Sequence, residues 1–200
     1  MAEAHTDASS NHATVPTQWN ALQKSEYLDL SADGHRISYT GPGLTDAQAG
    51  SILSNHPIPP KCEVFYYEVE IISKGLDGYI GIGLCTLDMY LNRLPGWMEH
   101  SWGYHGDDGC VFLGSGKGCS YGPCFTTGDV VGCIVNFGTR TVSFTKNGVW
   151  LGDAATDVAE LSVTGMDVFP CVGLRSPGEI VEVNFGRRSF VFDIEKHVKG

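Results

Sequence analysis

The sequence of 200 residues lacks a continuous apolar run approaching the roughly 20 residues needed to cross a bilayer, so no membrane-spanning segment is predicted. Basic residues are also scarce: 13 lysines and arginines stand against 23 aspartates and glutamates, which gives a formal net charge of -10. This charge repels phosphate backbones, and nucleic acid is therefore not an expected partner. The polar first twenty residues do not have the pattern of a signal peptide, although removal of such a peptide upstream of Met1 stays open.

The motifs of common enzymes and metal sites are lacking as well. Residues 114–118 resemble a phosphate loop only superficially, because their lysine is followed by glycine rather than by serine or threonine. His105, Cys110, Cys119 and Cys124 do not have the paired spacing of structural zinc ligands. No G-x-S-x-G motif is present. We therefore predict no enzymatic activity, no cofactor and no metal.

The seven cysteines lie mostly in apolar or strand-like stretches, where a free thiol behaves as a small apolar side chain. Their odd number and the absence of an N-x-S/T site both argue against an oxidising compartment. We expect reduced cysteines packed in a core rather than a disulfide framework.

Glycine and aromatic residues are abundant, with 26 glycines and 10% aromatics, a balance typical of short strands joined by tight turns. Residues 64–72 alternate with a period of two, which predicts a half-buried strand. Its predicted solvent face carries Tyr66, Glu68 and Glu70. Residues 78–84 follow a turn, and the two segments together predict a hairpin.

Several further strands are predicted from short apolar stretches bounded by turn residues. They lie at 27–30, 36–39, 101–104, 110–113, 130–137, 141–145, 168–174 and 180–185. The first two of these should form a hairpin, and Asn147 followed by Gly148 is a strong cue for another. Residues 45–55 contain the one plausible helical turn or two. About ten strands without regular alternation with helices predict an all-β fold, a sandwich of two antiparallel sheets with one or two short helices.

The chain divides into a polar N-terminal stretch, a body and a short end. Residues 1–16 hold a single large aliphatic side chain and are predicted to form a flexible arm. The domain should run from 17 to 196, followed by a C-terminal end at 197–200. Within the domain, residues 91–98 form an apolar and aromatic loop that also carries an arginine. Such a loop is either packed beneath the sandwich or offered to a partner.

Taken together, these segments resemble the SPRY family, and within it the SPRY domain of the Ran-binding protein M type. The resemblance covers about residues 19–196, and it is carried by motifs at 56–59, 66–69, 74–84, 92–97, 104–109, 121–123, 125–133, 145–148 and 184–186. It implies a bent sandwich of the concanavalin-like jelly-roll type that has no catalytic activity of its own. It also implies a shallow, pre-formed pocket of loops at one end of the sandwich, which holds an extended segment of a partner protein.

Carrying this pocket over by motif places its walls on four parts of the chain: the first long loop, the apolar loop, the segment after residue 103, and a segment near the end. The predicted partner-binding residues are Tyr39, Gly41, Pro42, Asn92, Arg93, Leu94, Pro95, Trp97, Tyr104, His105, Asp107, Asp108, Leu174, Arg175 and Pro177.

A stand-alone and diverged domain of this subtype is similar to the secreted SPRY effectors of plant-parasitic cyst nematodes. That resemblance implies a monomer that is secreted, acts in the host cytoplasm or nucleus, binds host plant proteins such as an immune receptor, and modulates immunity. The alternative is a cytoplasmic SPRY fragment of a Ran-binding-protein-M-like scaffold, which recruits partners to a CTLH ubiquitin ligase. A carbohydrate-binding β-sandwich is a second alternative, because such proteins also use aromatic loops.

Overall fold

The computed structural model describes residues 14–156, 158 and 166–199, and these residues form two antiparallel sheets of seven strands each. The first sheet contains β1 (Trp19–Lys24), β4 (Gly50–Ser54), β6 (Gly81–Thr86), β7 (Ser101–His105), β8 (Cys110–Leu113), β9 (Gly118–Ser120) and β13 (Val168–Leu174), in the order β1-β4-β13-β6-β7-β8-β9. The second contains β2 (Leu28–Leu30), β3 (Arg36–Tyr39), β5 (Val64–Lys74), β10 (Val130–Asn136), β11 (Thr141–Lys146), β12 (Val149–Ala155) and β14 (Glu179–Asn184), in the order β12-β11-β10-β5-β14-β3-β2. The predicted all-β sandwich is confirmed.

The core lies between the inner faces of the two sheets. Ile52, Val172, Ile82 and Tyr104 follow one another across neighbouring strands of the first sheet, and all four are fully buried. Burial of each such aliphatic side chain contributes about 1.5–3 kcal/mol. From the second sheet, the hydroxyl group of Tyr67 donates a hydrogen bond of 2.5 Å to the carbonyl oxygen of Gly83, so the two layers are also tied by a polar contact.

Two predicted turns are confirmed by the pairing of the strands on either side of them, and a third turn joins β8 to β9. β2 pairs with β3, and β11 pairs with β12 across Asn147 and Gly148. β8 pairs with β9, so that residues 114–117 form a hairpin tip rather than a phosphate loop.

The predicted hairpin between residues 64–72 and 78–84 is wrong, because the two segments belong to different sheets. β5 is flanked on both sides by β10 and β14, so it has no free edge for β6. The connection at 75–80 instead crosses to the other layer, where β6 pairs with β13 and β7. Gly75 allows this crossing: its φ is +62°, and a Cβ there would lie 2.6 Å from the carbonyl oxygen of Pro177.

The predicted helix within residues 45–55 is correct only for a single 3-10 turn at Asp46–Gln48. The rest of the segment is β4, a strand between β1 and β13 in which every residue is buried. Pairing on both edges and burial on both faces outweigh the weak local preference for a helical turn.

The solvent face predicted for residues 64–72 is also wrong at two of its three positions, because Tyr66 and Glu68 are buried. The chain after β14 folds over this face, and the ring of Phe190 lies 4.9 Å from that of Tyr66. The Glu68 carboxylate accepts hydrogen bonds from the backbone N–H groups of Val191 (2.7 Å) and Phe192 (3.0 Å).

This segment ends in a short helix, α1 (Ile194–Lys199), which extends across the boundary predicted at residue 196. Most of the predicted N-terminal arm, residues 1–13, lies outside the described residues, and its flexibility stays a prediction. None of the helices in the described part of the chain is long and apolar enough to span a membrane.

Candidate functional site

Four loops meet at one end of the sandwich, and we call them the loop surface: residues 40–49, 75–80, 106–109 and 175–178. Strand register brings them together, because Gly50 pairs with Leu174, and Gly81 pairs with both Gly173 and His105. In the second sheet, the end of β5 and the start of β14 lie side by side at the same end. Three of the four loops cross from one sheet to the other, so both layers contribute to this surface.

Arg175 lies at the centre of the loop surface. Its guanidinium carbon is 4.0 Å from the centre of the Tyr79 ring, and its Nη1 forms an ion pair with Asp46. A cation over an aromatic face is attracted by the ring quadrupole, and the planar guanidinium group also stacks well. The Arg175 Nε–H is buried and has no acceptor among the residues that the structure describes, so this donor is unsatisfied.

The loop at 40–49 is closed by Tyr39. Its hydroxyl group donates to the carbonyl oxygen of Gln48 at 2.6 Å and accepts the N–H of Gly43 at 3.0 Å. Gly41 packs on the Tyr39 ring so closely that a Cβ would not fit. Pro42 at the tip is exposed. Tyr39 therefore shapes this loop from below, while the tip is free to contact a partner.

Apolar side chains flank the arginine on the outside of the loop surface. Leu44 is 78% exposed and Leu76 is 73% exposed. Both belong to loops anchored on residues 175–177: Gly43 abuts the backbone of Arg175, and the N–H of Leu76 donates to the carbonyl oxygen of Pro177 at 3.0 Å. An arginine together with exposed apolar side chains on neighbouring loops is typical of a protein-binding surface.

Two acidic residues, Asp107 and Asp108, border the same surface and are exposed. The pKa of Asp107 is raised, first because its carboxyl group is partly desolvated and then because the Asp108 carboxylate lies beside it. The positive charge of Arg175 acts on Asp107 in the opposite direction. The loop surface thus offers carboxylates, a guanidinium group and apolar side chains together.

The apolar loop is packed against the sandwich rather than offered to a partner along its whole length. Residues 91–97, which we call the covering segment, lie across the outer face of the first sheet. Leu94 and Pro95 are buried over Gly173, where a Cβ would lie 2.7 Å from Leu94 Cδ2. Ser51 Oγ donates to the carbonyl oxygen of Arg93 at 2.6 Å, which fixes the segment to β4.

His105 fastens the covering segment to β7. Its Nε2 lies 2.8 Å from the carbonyl oxygen of Pro95, and since a carbonyl oxygen can only accept, Nε2 carries the proton. The ring stacks on Phe112 at 4.2 Å and lies 5.9 Å from Trp97. Burial lowers the pKa of His105 to about 4, so the imidazole is neutral near pH 7.

The fifteen residues predicted to bind a partner therefore fall into three groups. Six are buried and can only support the surface from within: Tyr39, Leu94, Pro95, Tyr104, His105 and Leu174. Six lie at the loop surface: Gly41, Pro42, Asp107, Asp108, Arg175 and Pro177. Asn92, Arg93 and Trp97 are partly or fully exposed on the covering segment. The binding role of all of them stays a prediction.

Sequence reasoning missed four residues of the loop surface: Leu44, Asp46, Leu76 and Tyr79. Tyr79 and Leu76 lie within the motif at 74–84, but that motif was assigned to a hairpin, which hid its role as a crossover loop. The signal that could have identified Tyr79 as a surface residue of the site was an aromatic side chain in a glycine-rich turn. Nothing in the sequence pairs Asp46 with Arg175, which lies 129 positions away.

The remaining candidates for site chemistry in the described residues are cysteine thiols and groups of metal-ligating side chains. All seven cysteines are free thiols; Cys119 and Cys124 are exposed, whereas Cys85, Cys133 and Cys171 are buried. Within the part of the chain that the structure describes, no group of three or more histidine, cysteine, aspartate or glutamate side chains is arranged to hold a metal ion.

Comparisons with known proteins define the family to which this all-β sandwich belongs. The SPRY domain model matches residues 64–188. The chain belongs to the SPRY family. It is 53% identical over 184 residues to Ran-binding protein 9 of Xenopus laevis, an alignment that covers 92% of this chain and 32% of that protein. It is 37% identical over 182 residues to the Ran-binding protein M homolog of Arabidopsis thaliana, covering 90% of this chain and 38% of that protein.

A solved structure shows the same fold. The crystal structure of a human SPRY domain superposes with a TM-score of 0.67 at 28% identity, covering 83% of this chain and 99% of that one. The chain is similar to only about a third of the length of its Ran-binding relatives, which have further segments outside the matched region. As a SPRY domain, the chain is a protein-interaction module.

Proposed function

We propose that this domain is a non-enzymatic recognition module that holds an extended segment of a partner protein on the loop surface, within a scaffold of the Ran-binding protein M type. The observation that carries the proposal is Arg175, fixed over Tyr79 and bordered by exposed Leu44 and Leu76. Arginine and tyrosine are the residues that most often anchor protein interfaces.

A pre-formed surface has a further advantage for binding an extended segment. The Tyr39 hydroxyl group closes one loop, and backbone contacts between residues 75–77 and 176–177 hold two others, so little conformational entropy is lost on the domain side. The partner segment pays most of the ordering cost. We therefore expect recognition by side-chain anchors rather than by a large rearrangement of the domain.

We rank the scaffold role above the effector role that the sequence alone had put first. The relatives at 46–53% identity are Ran-binding proteins of animals, including Drosophila melanogaster and Xenopus laevis. On the scaffold proposal, the domain acts in the cytoplasm and recruits partners to a CTLH-type ubiquitin ligase. Secretion, a plant host partner and action on immunity belong to the second proposal, for which the same surface would serve. These relatives are named for binding a protein, which gives no support to the carbohydrate-binding alternative.

The proposal is tested by affinity capture with the purified domain as bait and extract of its own cells as the source. A captured partner is identified by mass spectrometry, and its binding is then measured with purified protein. Arg175→Ala should weaken that binding about tenfold or more, as expected of an interface anchor.

Arg187→Ala is the matched control. Arg187 also forms an ion pair with an aspartate, Asp33, but it lies beyond the far end of β14, on the opposite side of the sandwich. Equal loss of binding in the two variants would contradict the proposal. A third variant, Arg93→Ala, shows whether the contact extends onto the covering segment.

A further inference from the structure

A buried carboxylate lies directly beneath the loop surface. Glu179 is the first residue of β14, and none of its surface is exposed. A fully buried glutamate is uncommon, because its charge must be compensated by hydrogen bonds or by a counter-charge. The contacts that Glu179 makes therefore indicate why it is there.

Both carboxylate oxygens of Glu179 accept hydrogen bonds from the loop at 175–178. Oε2 accepts the N–H groups of Arg175 at 2.6 Å and Ser176 at 2.8 Å, and Oε1 accepts the Ser176 hydroxyl at 2.7 Å. Glu179 thus fixes the backbone of this loop at two successive residues.

Ser176 extends this link. Its hydroxyl oxygen accepts the N–H of Asp77 at 3.1 Å while its proton is donated to Glu179. Glu179 therefore binds the backbone of Arg175 directly and, through the Ser176 hydroxyl group, holds the loop that carries Tyr79.

We propose that Glu179 is the positioning residue of the loop surface: it fixes the loops at 75–80 and 175–178 so that the Arg175 guanidinium group lies over the Tyr79 ring. The inference rests on the proposed function only in taking the loop surface as the partner-binding surface. The position of Arg175 over Tyr79 can itself be measured without a partner. Burial raises the pKa of Glu179, and the hydrogen bonds from Ser176 and Arg175 counteract this effect, which agrees with a carboxylate held in place by its donors.

Glu179→Gln is the direct test. Glutamine has nearly the same shape, but its amide oxygen can accept two hydrogen bonds and its NH2 group can accept none, so the three donors from Arg175 and Ser176 can no longer all be accepted. The matched control is Glu182→Gln, on the same strand, whose carboxylate pairs with Arg36 on the surface.

Two readouts by nuclear magnetic resonance separate positioning from general stability. In Glu179→Gln, the Arg175 Nε–Hε resonance should move away from its ring-shifted position as the guanidinium group leaves Tyr79. Amide exchange at Arg175, Ser176 and Asp77 should become about tenfold faster or more, while the core strands keep their protection. Glu182→Gln should change neither.

An unchanged Arg175 resonance in folded Glu179→Gln protein would overturn the inference, and so would faster exchange spread evenly over all strands. If Glu179→Gln does not fold, Ser176→Ala takes its place, since it removes the hydroxyl that joins Glu179 to Asp77. The Arg175 Nε–Hε resonance must then move in Ser176→Ala, and an unchanged resonance in that variant would contradict the inference. Neither readout depends on partner binding. A failure of this inference is therefore distinct from a failure of the proposed function, which Arg175→Ala tests.

Discussion

Protonation of His105 should unfasten the covering segment and destabilise the protein in acid. His105 is 2% exposed and donates through Nε2 to the carbonyl oxygen of Pro95. Burial lowers the pKa of its imidazole from 6.5 to about 4. Since one unit of pKa difference corresponds to about 1.4 kcal/mol, the folded state loses about 3 kcal/mol relative to the unfolded state when this group becomes charged.

The sign of the effect follows from which state binds the proton more tightly. Between pH 6.5 and about 4 the unfolded chain binds a proton at this position and the folded chain does not. The stabilising contribution of neutral His105 is therefore complete above pH 6.5 and is lost as the pH falls towards 4. Below about pH 4 both states are protonated, and no further loss comes from this residue.

Urea unfolding followed by tryptophan fluorescence, repeated from pH 7.5 to pH 4, measures this dependence. Asp107 and Glu179, whose pKa values are raised, contribute to the pH dependence of stability with the opposite sign, so the wild type alone does not isolate His105. The comparison is with His105→Gln, whose side-chain amide can still donate to Pro95 but does not titrate. The difference in unfolding free energy between the two proteins should shrink by about 3 kcal/mol from pH 7 to pH 4. Parallel pH profiles would refute the argument.

Three further predictions concern packing and chemistry away from the loop surface. Gly103→Ala should lower the unfolding free energy by about 1–3 kcal/mol, because its Cβ would collide with the carbonyl oxygen of Pro95. Gly116→Ala is the control and should change the unfolding free energy little, since its Cβ would meet no neighbour within 4 Å. Equal effects of the two substitutions would contradict the prediction. Glu68→Ala should lower the unfolding free energy by about 3 kcal/mol, since it leaves the N–H groups of residues 191 and 192 without their acceptor, while Glu70→Ala, at a partly exposed side chain, costs less than about 1 kcal/mol. Fast exchange of those two amides only in Glu68→Ala checks the cause. A thiol reagent should modify the folded protein first at its exposed cysteines, and modification of a buried one before unfolding would contradict the structure. The exposed set is Cys119 and Cys124; the buried set is Cys85, Cys133 and Cys171.

Much of the fold could be predicted from the sequence because its signals are local. Alternation with period two located β5, and Asn147 with Gly148 located the hairpin between β11 and β12. What the sequence could not supply was the sheet to which each strand belongs. β5 and β6 are neighbours in the chain with a turn between them, the usual signal of a hairpin, yet β5 already has partners on both edges.

The same limitation explains the misassigned faces. Glu68 reads as a solvent-facing residue in an alternating strand, and only the return of residues 190–192 over that face makes it a buried acceptor. Such a cover comes from more than 120 positions away, beyond any periodic pattern. The apolar loop was recognised as unusual from its composition, but the glycines that allow it to lie on the sheet, Gly103 and Gly173, come from two other strands.

The candidate site was located in its loops but not in its contacts. Arg175 was predicted from the family resemblance, whereas the aromatic ring beneath it and the buried carboxylate behind it were not. Both arise from crossovers between the two sheets, which depend on tertiary register rather than on local sequence.

The most direct test of the recognition surface is a hydrogen-exchange footprint of the domain with and without its captured partner. Binding at the loop surface predicts added protection in residues 40–49, 75–80, 106–109 and 175–178, and none at α1 or along β1. Protection confined to α1 or β1, with these four loops unchanged, would contradict the account.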